Sequence, residues 1–418
     1  MERLPGFRDF YPEPLPHTDV WSADARQFIF NQWREIARRY GFREYDGPPL
    51  EPLELFTTKS GDEIIGQLYN FTDKGDRAVS LRPEMTPTLA RMVAAHERNY
   101  KKPVKWFAIP QLFRYERQQK GRLREHFQFN ADLLGESDPS ADAELIALLI
   151  DTLRSFGLSA EDFVIRLSSR NAWQDFYQRH ADGTAAADPA REYEFFQVID
   201  KLERTSPEES QAKLAALGSS LAEVNEFIKS GKPTAELESI LQNLADRGLR
   251  DFVKIDYQVI RGLAYYTGVV FEAFDRKGEF QRAIAGGGRY NNLVKLISGG
   301  KVDLPALGFG MGDVVLLELL KARGRLPKFD SPMDVFVLIE DENLRTISLK
   351  LVQDLRGAGH AVDYPLTPTK PDKQFKRAQD LRVKHTVRAE SDAYVRIRNM
   401  KTRDEVVSGF ADTRNHLG

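Results

Sequence analysis

The chain has 418 residues, 41% of them hydrophobic and 26 of them Phe, enough for two or three domains, because single cores stop growing near ~250–300 residues. It has no Cys, which excludes disulfides, thiolate nucleophiles and zinc–thiolate sites. No apolar run approaches the ~20 residues that span a bilayer, and the opening Met1–Pro5 lacks the layout of a signal peptide, so a cytoplasmic protein is expected.

With 60 basic and 62 acidic residues the formal charge is −2, so a polyanionic partner must be held by local patches. Taken in chain order, the first predicted element is a helix over Trp21 to Tyr40. Trp21, Ala25, Ile29, Trp33, Ile36 and Tyr40 recur at three- and four-residue steps, and Gly41 stands where a C-terminal cap would. Phe42 to Tyr45 reads as a short strand leading into Asp46-Gly47-Pro48-Pro49. Ala78 to Leu81 reads as another, running into Arg82-Pro83-Glu84-Met85-Thr86-Pro87 and a helix from Thr88 to His96.

Two strand-like runs, Val104 to Leu112 and Phe127 to Leu134, flank the most informative segment. Between Arg114 and Arg124 lie five cations in eleven residues, with Gly121 at the bend. A hairpin of this kind holds guanidinium groups on a rigid sheet and brings a basic tip over a polyanion. Arginine suits that task because its planar fork grips phosphate oxygens in pairs and stays charged.

Residues 172 to about 250 are rich in Glu, Lys, Ala and Ser and show helical spacing, as at Leu214, Leu217, Leu221, Val224 and Ile228. They read as a helical insertion. The sheet pattern resumes at Tyr257 to Ile260, Gly268 to Phe274 and Arg282 to Ala285, followed by Gly286-Gly287-Gly288-Arg289-Tyr290. Then Gly308, Gly310 and Gly312 alternate with Leu307, Phe309 and Met311, emptying one face of a strand so that a flat ligand or a close helix can lie there. After Pro327 and Pro332 a β-α-β run, with strands at 334–339 and 361–364 around a helix from Leu344 to Leu355, begins a small separate α/β domain. From Lys373 to Arg403 there are ten Lys or Arg against three acids, a candidate patch for a polyanion or a solvated face.

No P-loop pattern occurs, and Gly286 to Gly288 do not follow the dinucleotide fingerprint. The motifs resemble those of class II aminoacyl-tRNA synthetases, and among these the chain is similar to the histidyl-tRNA synthetase family over nearly its full length. Leu4 to Pro12 is similar to the family's opening "PRGTRDFLP", Leu81 to Thr86 to "LRPE-T", Arg261 to Gly268 to "RGLDYYTG", and Gly286 to Tyr290 to "GGGRYD". The Arg114–Gln128 hairpin is the class's motif 2. "RGL-YYTG" is the most specific of these.

The resemblance implies an α+β catalytic domain over 1–325, with an antiparallel sheet flanked by helices and the insertion at 172–250, and an anticodon-binding α/β domain over 330–418. It implies ligation of L-histidine to its tRNA through a histidyl adenylate, at the cost of ATP with Mg²⁺. Catalysis is then orientation and charge stabilisation. By matching position, Arg114 and Arg261 would be catalytic, holding the α-phosphate from opposite sides. Arg114, Glu116, Arg122, His126 and Phe127 would bind ATP; His126 stands where relatives usually have Phe, so either it or Phe127 would stack on adenine. Glu84, Thr86, Gln128, Asp132, Arg261, Tyr265 and Tyr266 would bind histidine, with Tyr290 close by. Arg117, Gln119, Lys376 and Arg377 would contact tRNA. No residue is assigned to a metal. The family's arrangement further implies a homodimer through Trp21 to Pro49.

Three departures stand out. Asp132 replaces a usual Glu, Ala264 replaces the Asp of "RGLDYY", and Gly312-Asp313-Val314-Val315 replaces the "G-L-E-R" of motif 3, so the cation expected at Val315 is missing. Arg124 and Arg289 are the candidates to replace it. Two alternative functions remain: a histidine-binding paralogue acting as a regulatory subunit without catalysis, and a class II ligase for another amino acid.

Overall fold

A computed structural model describes residues 2–12, 21–60, 62–116, 121–180, 188–202, 205–260, 266–329 and 333–417. The chain divides into two compact units, Met1–Leu326 and Pro327–Gly418. The first is built on a nine-stranded sheet. In chain order its strands are Arg43–Glu44 (β1), Val104–Ala108 (β2), Gln111–Phe113 (β3), Glu125–Leu134 (β4), Phe163–Ser169 (β5), Val253–Ile255 (β6), Val269–Asp275 (β7), Ala285–Arg289 (β8) and Ala306–Gly312 (β9). Their spatial order is β6-β5-β7-β8-β9-β4-β2-β1, with β3 pairing separately to β4. All neighbours are antiparallel except the outer pairs β5–β6 and β1–β2. This is the expected antiparallel α+β architecture.

The predicted first helix is Ala23–Arg39. Ser22 caps it by accepting from the Ala25 amide at 3.1 Å, and Gly41 follows it in the left-handed region at φ +76°, where a side chain would be strained. Its apolar stripe lies against one face of β4: Trp33 stacks on Phe129 at 5.6 Å, and Phe30 meets Phe127 edge-on at 5.1 Å. That helix and Pro139–Ser155, whose apolar residues are almost all buried, cover the back of the sheet. The opposite face of β4 is thereby left for a cavity.

Two local expectations are corrected. Val104 to Leu112 is not one strand, because Pro110 has no amide to donate and splits it into β2 and β3; its carbonyl still accepts from the Gln128 amide at 3.1 Å, so register with β4 continues through the break. Tyr257 to Ile260 is a turn, although Tyr257, Val259 and Ile260 are buried; the strand is β6, just before it. The glycines 286–288 lie inside β8 rather than after it. A Cβ on Gly287 would stand 2.1 Å from the Gly308 carbonyl oxygen, and one on Gly288 would stand 2.5 Å from that of Val269, so only glycine lets these strands approach.

Between β5 and β6 the described residues contain no strand, with helices at Arg170–His180, Pro189–Asp200, Pro207–Ala216, Leu221–Ser230 and Ala235–Asp246. Trp173, Phe176, Phe195 and Phe227 of this stretch form an aromatic cluster with Tyr257, which follows β6. No helix among the described residues is long and apolar enough to cross a membrane.

The second unit is a five-stranded mixed sheet of Val335–Leu338 (β10), Val362–Asp363 (β11), His385–Ala389 (β12), Tyr394–Asn399 (β13) and Glu405–Gly409 (β14), ordered β11-β10-β12-β13-β14. Helices Arg345–Gly357 and Pro371–Asp380 complete it. The excess charge from Lys373 to Arg403 is answered in part within this unit. Arg377 pairs with Asp363, Lys384 with Asp334, Arg388 with Glu340 and Glu390, and Arg396 with Glu390 and Glu405. Lys376 is exposed.

Candidate active site

On β4 the side chains alternate, as any strand requires. Glu125, Phe127, Phe129 and Ala131 turn to the helices, while His126, Gln128, Asn130 and Asp132 line a cavity of about 1340 Å³. That volume exceeds the ~300–1,000 Å³ of a site for one small ligand. Six steps along the strand separate His126 from Asp132, a distance of about 20 Å, so the cavity has two ends.

One end is closed and acidic. Asp132 is 2% exposed and accepts from the Tyr290 hydroxyl at 2.5 Å. Its second oxygen is buried with no hydrogen-bond partner. Burial pushes its carboxyl up to about 7 against the lowering effect of the Tyr290 bond. Glu84, Thr86 and Tyr266 also line the cavity, Thr86 at the start of helix Thr86–His96. Asn130 joins them with a buried carbonyl oxygen that lacks a partner. Sequence reasoning passed over Asn130, although its even spacing from Gln128 and Asp132 places it on this face.

The alternating glycines of β9 explain how these groups fit. Gly308 is paired with Asp132 and Gly312 with Gln128. A Cβ on Gly308 would fall 1.9 Å from the Asp132 Oδ1, and one on Gly310 would fall 2.6 Å from the Gln128 Nε2. The bare face of β9 therefore makes room for the side chains of its neighbour, and Gly308, Gly310 and Gly312 themselves line the cavity.

The other end is basic. Arg114 donates through Nε to the Pro83 carbonyl at 3.0 Å, and its amide donates to the Arg124 carbonyl at 2.9 Å, so the hairpin and the Arg82–Pro87 turn hold it together. Arg122 pairs with Glu116. Burial, then Arg114 and Arg282, hold the Arg122 guanidinium below its ordinary value. His126 is pushed down to about 3 by burial first and then by Arg114, Arg8 and Arg122, so it is a neutral ring near pH 7.

Of the two rings proposed to stack on a ligand, Phe127 is corrected. It packs against Phe10 and Phe30 on the far face, and His126 alone of the pair lines the cavity. Both candidates for the missing cation are also corrected. Arg289 is buried and bound to Asp142 at 2.8 Å and to the carbonyls of Glu136 and Asp138. The guanidinium of Arg124 sits 4.5 Å from the Tyr115 ring centre. Neither lines the cavity; Arg282, unremarked in the sequence, does. Arg117, Gln119, Arg261, Ala264 and Tyr265 lie outside the described residues.

Behind the cavity, Arg8 donates from Nε to Glu125 at 2.6 Å and from an Nη to Asp313 at 2.8 Å, with the Arg8 and Glu125 side chains 1% exposed and that of Asp313 6%. Asp313 accepts as well from the Phe127 amide at 3.0 Å. Burial raises its carboxyl overall, while Arg8 opposes that. This triad joins the N-terminal segment, the foot of β4 and the helix that follows β9. Asp313 thus has a structural use at the point where motif 3 departs from its family pattern.

Residues 18–312 match the family model described as histidyl-tRNA synthetase. The chain is 47% identical to the histidine–tRNA ligase of Opitutus terrae, over 97% of this chain and 95% of that protein. It is 41% identical to that of Thermoplasma volcanium, over 78% of this chain and 76% of the other. Its fold is that of the histidyl-tRNA synthetase crystal structure from Nostoc sp. PCC 7120, with a TM-score of 0.76, 23% identity and 97% of each chain covered. With the family model matching most of the chain and a relative 47% identical over nearly its full length, the chain belongs to the histidyl-tRNA synthetase family.

Proposed function

We propose that the chain charges tRNA with L-histidine in two steps. The histidine carboxylate attacks the α-phosphorus of ATP, the bond to the pyrophosphate oxygen breaks, and histidyl adenylate forms. The terminal ribose hydroxyl of the tRNA then takes the histidyl group and releases AMP. The observation that carries this reading is the two-ended cavity along β4, because the reaction must hold an imidazole and a triphosphate with the carboxylate and α-phosphorus between them.

At the closed end, the unpartnered Asp132 oxygen accepts an imidazole N–H, and Glu84, Thr86 and Gln128 hold the amino and carboxylate groups. Apolar amino acids are rejected because these buried groups would be left unpaired. At the basic end, Arg114 steadies the charge that builds on the α-phosphate, Arg122 leaves Glu116 for the terminal phosphates, and the neutral His126 ring stacks on adenine. Arg261, Tyr265 and Tyr266 take the roles their motif gives them. Mg²⁺ bound with the nucleotide would neutralise phosphate charge, and Glu116 and Glu272 are carboxylates on the cavity wall that would help to hold it; among the described residues no cluster of three His, Asp or Glu could hold an ion alone. Phosphate oxygens would be its main ligands.

Pyrophosphate exchange with each amino acid in turn tests the reading. Exchange with histidine alone is expected; exchange with none would leave a histidine-binding regulatory paralogue, and exchange with another amino acid would identify a different ligase. Gly308→Ala should weaken histidine binding in calorimetry by about 1–3 kcal/mol, since its methyl group must displace the Asp132 carboxylate. Unchanged affinity would remove Asp132 from the histidine end.

The second unit is proposed to bind the anticodon arm, with Lys376 and Arg377 touching phosphate. Changing both to alanine should weaken tRNA binding and shallow its salt dependence by up to about two units of slope. Because Arg377 already pairs with Asp363, most of that change should come from Lys376. Arg117 and Gln119 are proposed to meet the acceptor end. A homodimer through the Trp21–Pro49 region is part of the same reading, and a monomeric sedimentation profile would overturn it.

A further inference from the structure

The helix after β9 enters the cavity with Val315 where the family pattern has an arginine. Arg282 occupies the same corner from another direction. It lies just before β8, in the connection from β7, and lines the cavity. A Cβ on Gly121, at the tip of the hairpin, would stand 3.3 Å from the Arg282 Cδ, 3.9 Å from its Nε and 3.5 Å from the Val315 Cγ2. The Arg282 chain therefore passes beside Val315, across the space that glycine at φ +76° leaves open.

Arg114, Arg122 and Arg282 all line the cavity, three guanidinium groups from two separate chain segments, and burial first, then Arg114 and Arg282, hold the Arg122 guanidinium below its ordinary value. Like charges gathered this closely repel, and Glu116 is the carboxylate paired with Arg122 there. A polyanion relieves the repulsion and binds several planar forks at once. A fourth arginine on the cavity wall, Arg166, has its guanidinium 4.3 Å from the Phe274 ring centre.

We propose that Arg282 does the work of the absent motif 3 arginine, binding the β- and γ-phosphates of ATP beside Arg122. The proposal rests on the reading of this cavity as an ATP site, and its test separates the two. Histidine-dependent pyrophosphate exchange is measured for the full chain, for Arg282→Ala and Arg282→Lys, and for the double variant Arg282→Ala, Val315→Arg. Calorimetry with ATP and with AMP accompanies it.

Arg282→Ala should raise the KM for ATP by about 10- to 100-fold, the loss of one charged phosphate contact, while the KM for histidine and the affinity for AMP stay within about twofold. Arg282→Lys should be intermediate, and adding Val315→Arg to Arg282→Ala should recover part of the ATP affinity. An ATP KM unchanged in both single variants would overturn the role of Arg282, as would equal losses for ATP and AMP. Absence of histidine-dependent exchange in the unaltered chain would instead overturn the underlying reading.

Discussion

Changing Arg114 to alanine is expected to slow histidine-dependent pyrophosphate exchange by about 10²- to 10³-fold, the loss seen when one preorganised donor to a developing charge is removed. The magnitude follows from how Arg114 is held. Its amide and its Nε are both engaged, by the carbonyls of Arg124 and Pro83, so the guanidinium plane is set before substrate arrives. Little reorganisation remains for the reaction step. Lysine should rescue poorly, because a point charge on a flexible stem lacks the fork and the Pro83 anchor. The KM for histidine should move far less than kcat, since Arg114 faces the phosphate end. Exchange within a few-fold of the unaltered chain would remove Arg114 from the reaction.

Changing Asp132 to asparagine should lower kcat/KM for histidine by about 10²- to 10³-fold, the scale of losing one partner of a buried charged contact, and yet make the protein more stable at pH 8. The sign follows from the carboxyl pushed up to about 7, against about 3.9 in an unfolded chain. Below pH 3.9 both states are protonated and burial costs nothing extra. Between 3.9 and 7 the unfolded chain ionises first, so stability falls as pH rises, and above 7 the full penalty persists.

At about 1.4 kcal/mol per pKa unit that penalty is on the order of a few kcal/mol. Asparagine escapes it, so the difference in melting temperature should be largest at pH 8 and vanish towards pH 4. For the unaltered chain, kcat/KM for histidine should rise from pH 6 to 8 as Asp132 ionises. A variant less stable than the parent at pH 8 would show that Asp132 is not strained in this way.

Much of the architecture was legible because period and chemistry agree along the chain. The stripe from Ala25 to Ile36, with Gly41 beyond it, marked a helix lying on an apolar surface, although Trp21 at its head pairs in a short strand with Phe10 instead. The alternation on β4 held more than was drawn from it: with Gln128 and Asp132 assigned to the cavity, the two-residue period already placed His126 beside them and Phe127 behind. What was hidden depended on register. That Gly308 makes room for Asp132 is visible only once β9 is laid against β4. Arg289 and Arg282 are both arginines near a glycine run, and no pattern tells which is buried on Asp142 and which reaches the cavity. The basic run after Lys373 looked like a patch because its partners, such as Asp334, Glu340 and Asp363, lie earlier in the chain.

The Arg8 triad has a consequence for biosynthesis. Asp313 is translated 305 positions after Arg8. Until then Arg8 can reach Glu125 alone, and a nascent chain stopped short of the last strand of the catalytic sheet holds its amino-terminal arm by half of its clasp. Closing so long a loop is slow compared with local pairing. The cavity should thus acquire its rigid back wall only late in translation, and protease protection of the arm in stalled chains should appear only after residue 313 has emerged from the exit tunnel.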